Sequence, residues 1–238
     1  MIELRPFAGL GRFRNDWLNA RHHFSFGEYH DPKRQGFGAL LVWNDDEIAP
    51  KRGFDPHPHR DMEIITYVRE GAITHRDSLG NEGRTEAGDV QVMHAGTGIV
   101  HAEYNLEAGP TRLFQIWILP DRSGVKPGWA AQQFPKANGG GLSVLASGRP
   151  AGVENGGTTG LPLYADAAVL AGTLRKGETA RLSLAPGRAF YLVPATGAVE
   201  VNGVSIGTRD GAAIKDVDEV SIVAPDDAEL VVVDVRGG

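Results

Sequence analysis

The sequence has 238 residues, 41% of them hydrophobic and 23% charged, with a net charge of −6 and no cysteine. Lack of cysteine excludes disulfides, thiolate catalysis, iron–sulfur clusters and cysteine-type zinc sites, so any metal has to be held by histidine and carboxylate. The acidic balance, without a Lys/Arg cluster, argues against a nucleic-acid partner. No stretch approaches the roughly 20 apolar residues of a membrane span, and the first residues lack a secretory pattern, so no membrane partner and a cytoplasmic location are expected.

Residues 1–30 show no clean period. The aromatic-rich segment Trp17–Tyr29 is expected to pack on the outside of the fold rather than lie across a barrel mouth. His22 and His23 are adjacent and would point to opposite faces of a strand, so each reads as a hydrogen-bonded structural histidine. Strand signals begin with Phe37–Trp43, which Asn44-Asp-Asp-Glu is expected to end as a turn. Further strands are predicted over Met62–Val68, Ala72–His75, Val90–Met93 and Leu113–Leu119, with His75 solvated beside a hairpin turn. Residues 120–165 are punctuated by Pro120, Pro127, Asn138-Gly-Gly-Gly141, Pro150 and Asn155-Gly-Gly157. They read as a connector holding one strand, Leu142–Ala146. Strands resume at Val169–Leu174, Ala180–Leu184, Phe190–Val193, Val199–Val201, Ala212–Ile214, Val220–Val223 and Leu230–Val235. Short strands at regular spacing, with no convincing amphipathic helix, predict an all-β protein built as an antiparallel sandwich or barrel.

The two halves resemble each other. Ile65-Thr-Tyr-Val-Arg-Glu-Gly71-Ala-Ile answers to Tyr191-Leu-Val-Pro-Ala-Thr-Gly197-Ala-Val, and Gly88-Asp-Val-Gln-Val to Gly211-Ala-Ala-Ile-Lys. Two stacked copies of one barrel follow, divided as residues 1–136 and 137–238. On this alignment His57, His59 and Glu63 correspond to Ser183, Ala185 and Ala189, and the region answering His101 falls near Ala224. All eight histidines lie between residues 22 and 101, so the second half cannot carry a histidine-based site; it reads as structural or as a surface for a protein partner.

The chemistry concentrates in Gly53-Phe-Asp-Pro-His57-Pro-His59-Arg-Asp-Met-Glu63 and His101-Ala-Glu103. Alternate side chains on a strand share a face, so His57 with His59, and His101 with Glu103, can project together from two strands. Three imidazoles and one carboxylate suit a divalent transition metal and leave positions open for substrate and O₂. If the strand is unbroken, Asp61 and Glu63 share the face of His57 and His59. Glu63 is then a rival carboxylate ligand, or an acceptor that orients a ligand imidazole. Phe37, Trp43, Phe54, Met93 and Phe114 are candidates to line a pocket for a flat aromatic molecule.

These stretches resemble the two cupin motifs: Gly53-x3-His57-x-His59-x3-Glu63-x7-Gly71 and Gly88-x12-His101-x3-Asn105. The second departs from the usual pattern by two extra residues and by His94 in place of proline. The runs His-Pro-His-Arg-Asp-Met-Glu-Ile, Met-His-Ala-Gly-Thr-Gly-Ile and His-Ala-Glu-Tyr-Asn resemble the pirin family over nearly the whole chain. That resemblance implies a bicupin of two stacked antiparallel jelly-roll barrels with one metal in the first. The implied ligands are His57, His59, His101 and Glu103, and Glu63 is usually not a ligand. It also implies quercetin 2,3-dioxygenase activity, in which O₂ opens a flavonol heterocycle and carbon monoxide is released, with Glu103 as the candidate base. Iron(II) is the first expectation for the metal, with nickel, manganese, copper, cobalt or zinc as alternatives. A second expectation is a non-enzymatic, metal-sensing regulator that acts through a protein partner.

Overall fold

Alternating apolar residues along short strands need something to cover both faces of each sheet, and the chain solves this by stacking two barrels. In the computed structural model, residues 1–133, 141–150 and 160–237 are described. The first half supplies β1 (Ile2–Arg5), β2 (Gly11–Arg14), β3 (Leu18–His22), β4 (Leu40–Ile48), β5 (Arg52–His59), β6 (Glu63–Glu70), β7 (Ala72–Asp77), β8 (Glu82–Glu86), β9 (Val90–His94), β10 (Ile99–Asn105), β11 (Thr111–Ile118) and β12 (Gly128–Gln132). The second supplies β13 (Ser143–Ser147), β14 (Leu161–Pro162), β15 (Ala167–Leu174), β16 (Thr179–Ser183), β17 (Arg188–Thr196), β18 (Val199–Val201), β19 (Val204–Ile206), β20 (Gly211–Lys215), β21 (Glu219–Val223) and β22 (Ala228–Arg236). Among the described residues the helical content is one short turn, Phe7–Gly9, and no helix is long and apolar enough to cross a membrane.

Each half folds a seven-stranded and a four-stranded sheet into a barrel. The four-stranded sheets run β5-β10-β7-β8 and β16-β21-β18-β19, so the internal repeat predicted from sequence is present strand for strand. The seven-stranded sheets share the core order β9-β6-β11-β4 and β20-β17-β22-β15. One element crosses over: β1 pairs antiparallel with β20, joining the start of the chain to the second barrel's sheet. The expected boundary between residues 136 and 137, and the Asn138-Gly-Gly and Asn155-Gly-Gly turns, lie outside the described residues.

The barrels pack through the outer faces of their large sheets. Ile65, Tyr67, Phe114 and Ile116 from the first meet Tyr191, Val193, Val231 and Val233 from the second in one continuous core. Residues one position along point into the barrels. In the second barrel these form one apolar cluster, including Leu192, Val201, Ala212, Val220, Ile222 and Val232, with Asp234 at one end bonded to Arg149 and Arg188.

The equivalent positions in the first barrel are polar. Thr66 pairs with Gln91 and Gln115 as Leu192 pairs with Ala212 and Val232. Glu103 sits opposite His75 as Ile222 sits opposite Val201. The place of His101 is therefore taken by Val220, not by a residue near Ala224, and the place of His57 by Leu182 rather than Ser183. A belt of polar side chains thus divides the first barrel's interior into two apolar patches, one around Ile48, Ile73 and Leu113 and one around Ile64, Met93 and Ile99. Unpaired polar groups at such depth are costly, so a belt of this kind indicates a site.

Two local expectations are corrected. Asn44-Asp-Asp-Glu is not a turn; it lies within β4, where neighbours on both sides satisfy its backbone. His75 is not solvated: it is fully buried, because β7 is paired on both edges and Trp129 stacks on the imidazole at 4.8 Å.

Candidate metal centre

The sequence Asp55-Pro-His57-Pro-His59 can form a strand only at a sheet edge, because neither proline donates a ladder hydrogen bond. β5 is such an edge and pairs with β10 alone. Its register places His57 opposite His101 and His59 opposite Ile99, then shifts so that Glu103 faces Phe54. The extra residue falls in β5 at Asp55–Pro56, a bulge that re-aims the histidines. Gly53 permits the close approach of the two strands, since a Cβ there would meet the Glu103 carbonyl at 2.2 Å. The Gly96-Thr-Gly98 turn brings the chain into β10. Gly96 has φ +44° and lies so close to Val125 that a side chain could not fit.

His57, His59 and His101 converge, with each pair of rings 4.5–5.0 Å apart between centroids. The Nε2 atoms of His57 and His101 are 3.1 Å apart. His57 donates from Nδ1 to the Asp55 carbonyl at 2.7 Å, so its Nε2 carries a lone pair. No neutral arrangement satisfies His101. A proton on its Nε2 leaves a buried Nδ1 acceptor without a partner; a proton on Nδ1 sets two lone pairs against each other. A divalent metal between the two Nε2 atoms would remove the clash of lone pairs. Their 3.1 Å separation is short enough for both nitrogens to bind one divalent metal. Burial, then the neighbouring imidazoles, lowers His59 to about 4 and His101 to about 3, so both are neutral at physiological pH, the form that metal binding requires.

Glu103 lies on the same strand, two residues beyond His101, and is buried. It groups with His101 and His75 rather than with all three converging histidines. Gln91 donates to its Oε1 at 2.5 Å, with Thr66 at 3.4 Å, and Gln115 donates to Oε2 at 2.9 Å. Desolvation nevertheless pushes its carboxyl up to about 7, the hydrogen bonds opposing that rise. Sequence reading missed these three donors. Their signal was a single polar residue inside an apolar strand: Thr66 in Ile-Ile-Thr-Tyr, Gln91 in Val-Gln-Val, Gln115 in Phe-Gln-Ile. His75 was also missed. Its Nε2 bonds Asp77 at 3.0 Å, and its Nδ1 is buried without a partner, beside His101 and Glu103.

Glu63 is carried away from the histidines. β5 ends at His59, and Asp61 turns the chain with φ +45°, so the shared face inferred from an unbroken strand is lost. Glu63 Oε2 instead accepts from the Tyr164 amide at 3.0 Å and lies 2.6 Å from His94 Nδ1, tying the first barrel to residues 160–165.

A cavity of about 500 Å³ opens over the histidines, walled by Trp17, Phe26, Phe54, Tyr104 and Trp117, with Lys51 and Arg52 at its edge. Of the expected lining only Phe54 takes part. Phe37, Trp43 and Phe114 face the other barrel, and Met93 packs with Ile64 and Ile99. Trp17 and Phe26 reverse the expectation that residues 17–29 only pack outside.

Comparison with known proteins agrees with this geometry. Residues 5–118 match the Pirin family, and residues 153–235 match the family described as quercetinase C-terminal cupin domain. A pirin-like protein of Caulobacter vibrioides is 57% identical over 98% of this chain and 99% of its own length. The chain belongs to the pirin family. Quercetin 2,3-dioxygenase of Escherichia coli K12 is 39% identical to this pirin, over 99% of each chain. The fold of the present chain superposes on the crystal structure of the bacterial pirin YhhW from Escherichia coli in complex with nickel(II), with TM-score 0.92 and 38% identity over the full length of both. The bicupin architecture of this pirin is therefore that of a solved, metal-bound relative, and its own histidine cluster fits a single divalent metal.

Proposed function

We propose that this pirin is a metal-dependent dioxygenase that opens the heterocycle of a flavonol-like substrate with O₂ and releases carbon monoxide, with the metal held by His57, His59, His101 and Glu103. The observation that carries the reading is the opposed pair of imidazole nitrogens on His57 and His101, set under an aromatic-walled cavity. The relatives named quercetin 2,3-dioxygenase and the nickel(II)-bound pirin support it. Nitrogen and oxygen ligands of this kind accept several metals; iron(II) is the first assignment and nickel the next.

When bound, a divalent metal would supply Lewis acidity toward the substrate's enolic oxygen and a redox partner for O₂. The chain's own residues account for the rest. Trp17, Phe54 and Trp117 offer ring surfaces to a flat substrate, and Trp117 already meets His59 edge-on at 4.9 Å. Lys51 and Arg52 favour approach of a phenolate. Glu103 takes the 3-hydroxyl proton on Oε2, the oxygen with a single donor, and a carboxyl near 7 is matched to that task.

The test pairs elemental analysis with an aerobic quercetin assay that detects carbon monoxide, on wild type, His59→Ala and Glu103→Gln. Metal near one per chain, carbon monoxide from wild type alone, and retained metal without turnover in Glu103→Gln are expected. Full activity of Glu103→Gln overturns the base assignment. Bound metal with no carbon monoxide from any flavonol overturns the enzyme reading in favour of a metal sensor with a protein partner.

A further inference from the structure

The cavity over the histidines is not the only internal space in the first barrel. A second, of about 510 Å³, adjoins it, and Phe26, Phe54 and Gln115 line both. Phe26 forms part of the partition, edge-on to Trp117 at 5.4 Å and tilted over His22 at 5.3 Å. The far wall carries Asp46, Asn44 and His22.

Its polar groups are poorly matched. Asp46 is 2% exposed, and its Oδ1 is buried with no partner. His22 lies 2.7 Å from Asn44 Oδ1 through Nδ1, which must donate, leaving Nε2 as an acceptor. By contrast, both oxygens of Glu103 are satisfied by glutamine and threonine donors. No arginine bonds Asp46 among the described residues: Arg69 and Arg209 both bond Asp45, which points to the opposite face of β4, and Arg12, which also lines the cavity, donates to the Ala8 carbonyl. A buried acceptor left without a donor is costly, so its persistence marks a place where a donor arrives from outside. The matching positions of the second barrel are not polar: by register, Leu170 and Gly172 stand where Asn44 and Asp46 do.

We infer that this second cavity is the distal half of the substrate site, in which Asp46 and His22 accept hydrogen bonds from the hydroxyl groups of a ring that projects past Phe26 and Phe54. The inference rests on the reading of the histidine cluster as the reacting end, and it defines the substrate as a flat molecule hydroxylated away from its metal-binding oxygens. Burial beside Asp45 and Glu103 pushes the Asp46 carboxyl up to about 8, which suits a neutral phenol and not a cation.

Binding of quercetin and of 3-hydroxyflavone to the metal-loaded protein provides the test, by fluorescence titration. 3-Hydroxyflavone keeps the reacting oxygens and lacks the other hydroxyls. Wild type favours quercetin by about tenfold, the value of one hydrogen bond to a buried acceptor. Asp46→Leu and Asp46→Ala bring that ratio near one, whereas Asp46→Asn, which keeps a carbonyl acceptor, retains most of it. A ratio near one in wild type, or one unchanged in Asp46→Leu and Asp46→Ala, overturns the inference. Carbon monoxide release is read in parallel. Its absence with a collapsing ratio removes the dioxygenase reading and keeps the subsite; its presence with an invariant ratio does the reverse.

Discussion

His57 and His101 are registered partners across β5 and β10, with their Nε2 atoms 3.1 Å apart. Because the backbone pairing of β5 with β10 sets the two histidines opposite each other, metal should add stability rather than create the fold. Isothermal titration with nickel(II) should show one site per chain. His57→Ala or His101→Ala should weaken it by at least about 100-fold, since the remaining ligands cannot complete the set. At a free metal concentration about 1,000 times the wild-type Kd, wild type should gain about 4 kcal/mol in denaturant unfolding, and His101→Ala no more than about 1.4 kcal/mol.

Gln91 and Gln115 hold the two oxygens of Glu103. Gln91→Leu should release Oε1 and raise the carboxyl further by removing a bond to its charged form. Metal content should persist while kcat/KM for the flavonol falls about 10–100-fold, and the alkaline shift should appear in the pH profile. A profile identical to wild type would show that Gln91 does not set the carboxylate.

Asp46 provides a pH test. Its carboxyl binds a proton more tightly in the folded than in the unfolded chain, so stability falls as pH rises from about 4, the unfolded value, toward about 8. Asp46→Asn removes that penalty. The metal-free variant should match wild type near pH 4 and exceed it by several kcal/mol at pH 8.5, in urea unfolding. An advantage constant with pH would contradict the assignment.

Asp45, one residue earlier, faces the second barrel and accepts bonds from both Arg69 and Arg209. Asp45→Ala leaves Arg69 buried without its carboxylate and should cost about 3–5 kcal/mol. Metal per folded chain should be unchanged, which separates this clamp from the site.

The His-x-His and His-x-Glu pairs, the all-β class and the repeat were legible because they depend on strand parity and spacing, which are local. That the second half cannot build a histidine-based site was legible in its lack of histidine. Parity, however, states which residues share a face and not which face turns inward. Here both faces of each large sheet are buried, one in a barrel and one between barrels, so Phe37, Trp43 and Phe114 read as pocket and proved to be interface. The same ambiguity hid Gln91, Gln115 and Asp46, whose roles depend on strands far apart in sequence closing around Glu103 and the two cavities. His75 lost its expected solvent because Trp129, more than fifty residues on, covers it. The sequence by itself determined the ligands available and their pairing along strands. Only the tertiary structure decided what surrounds them, because burial is set by contacts between segments that no local pattern records.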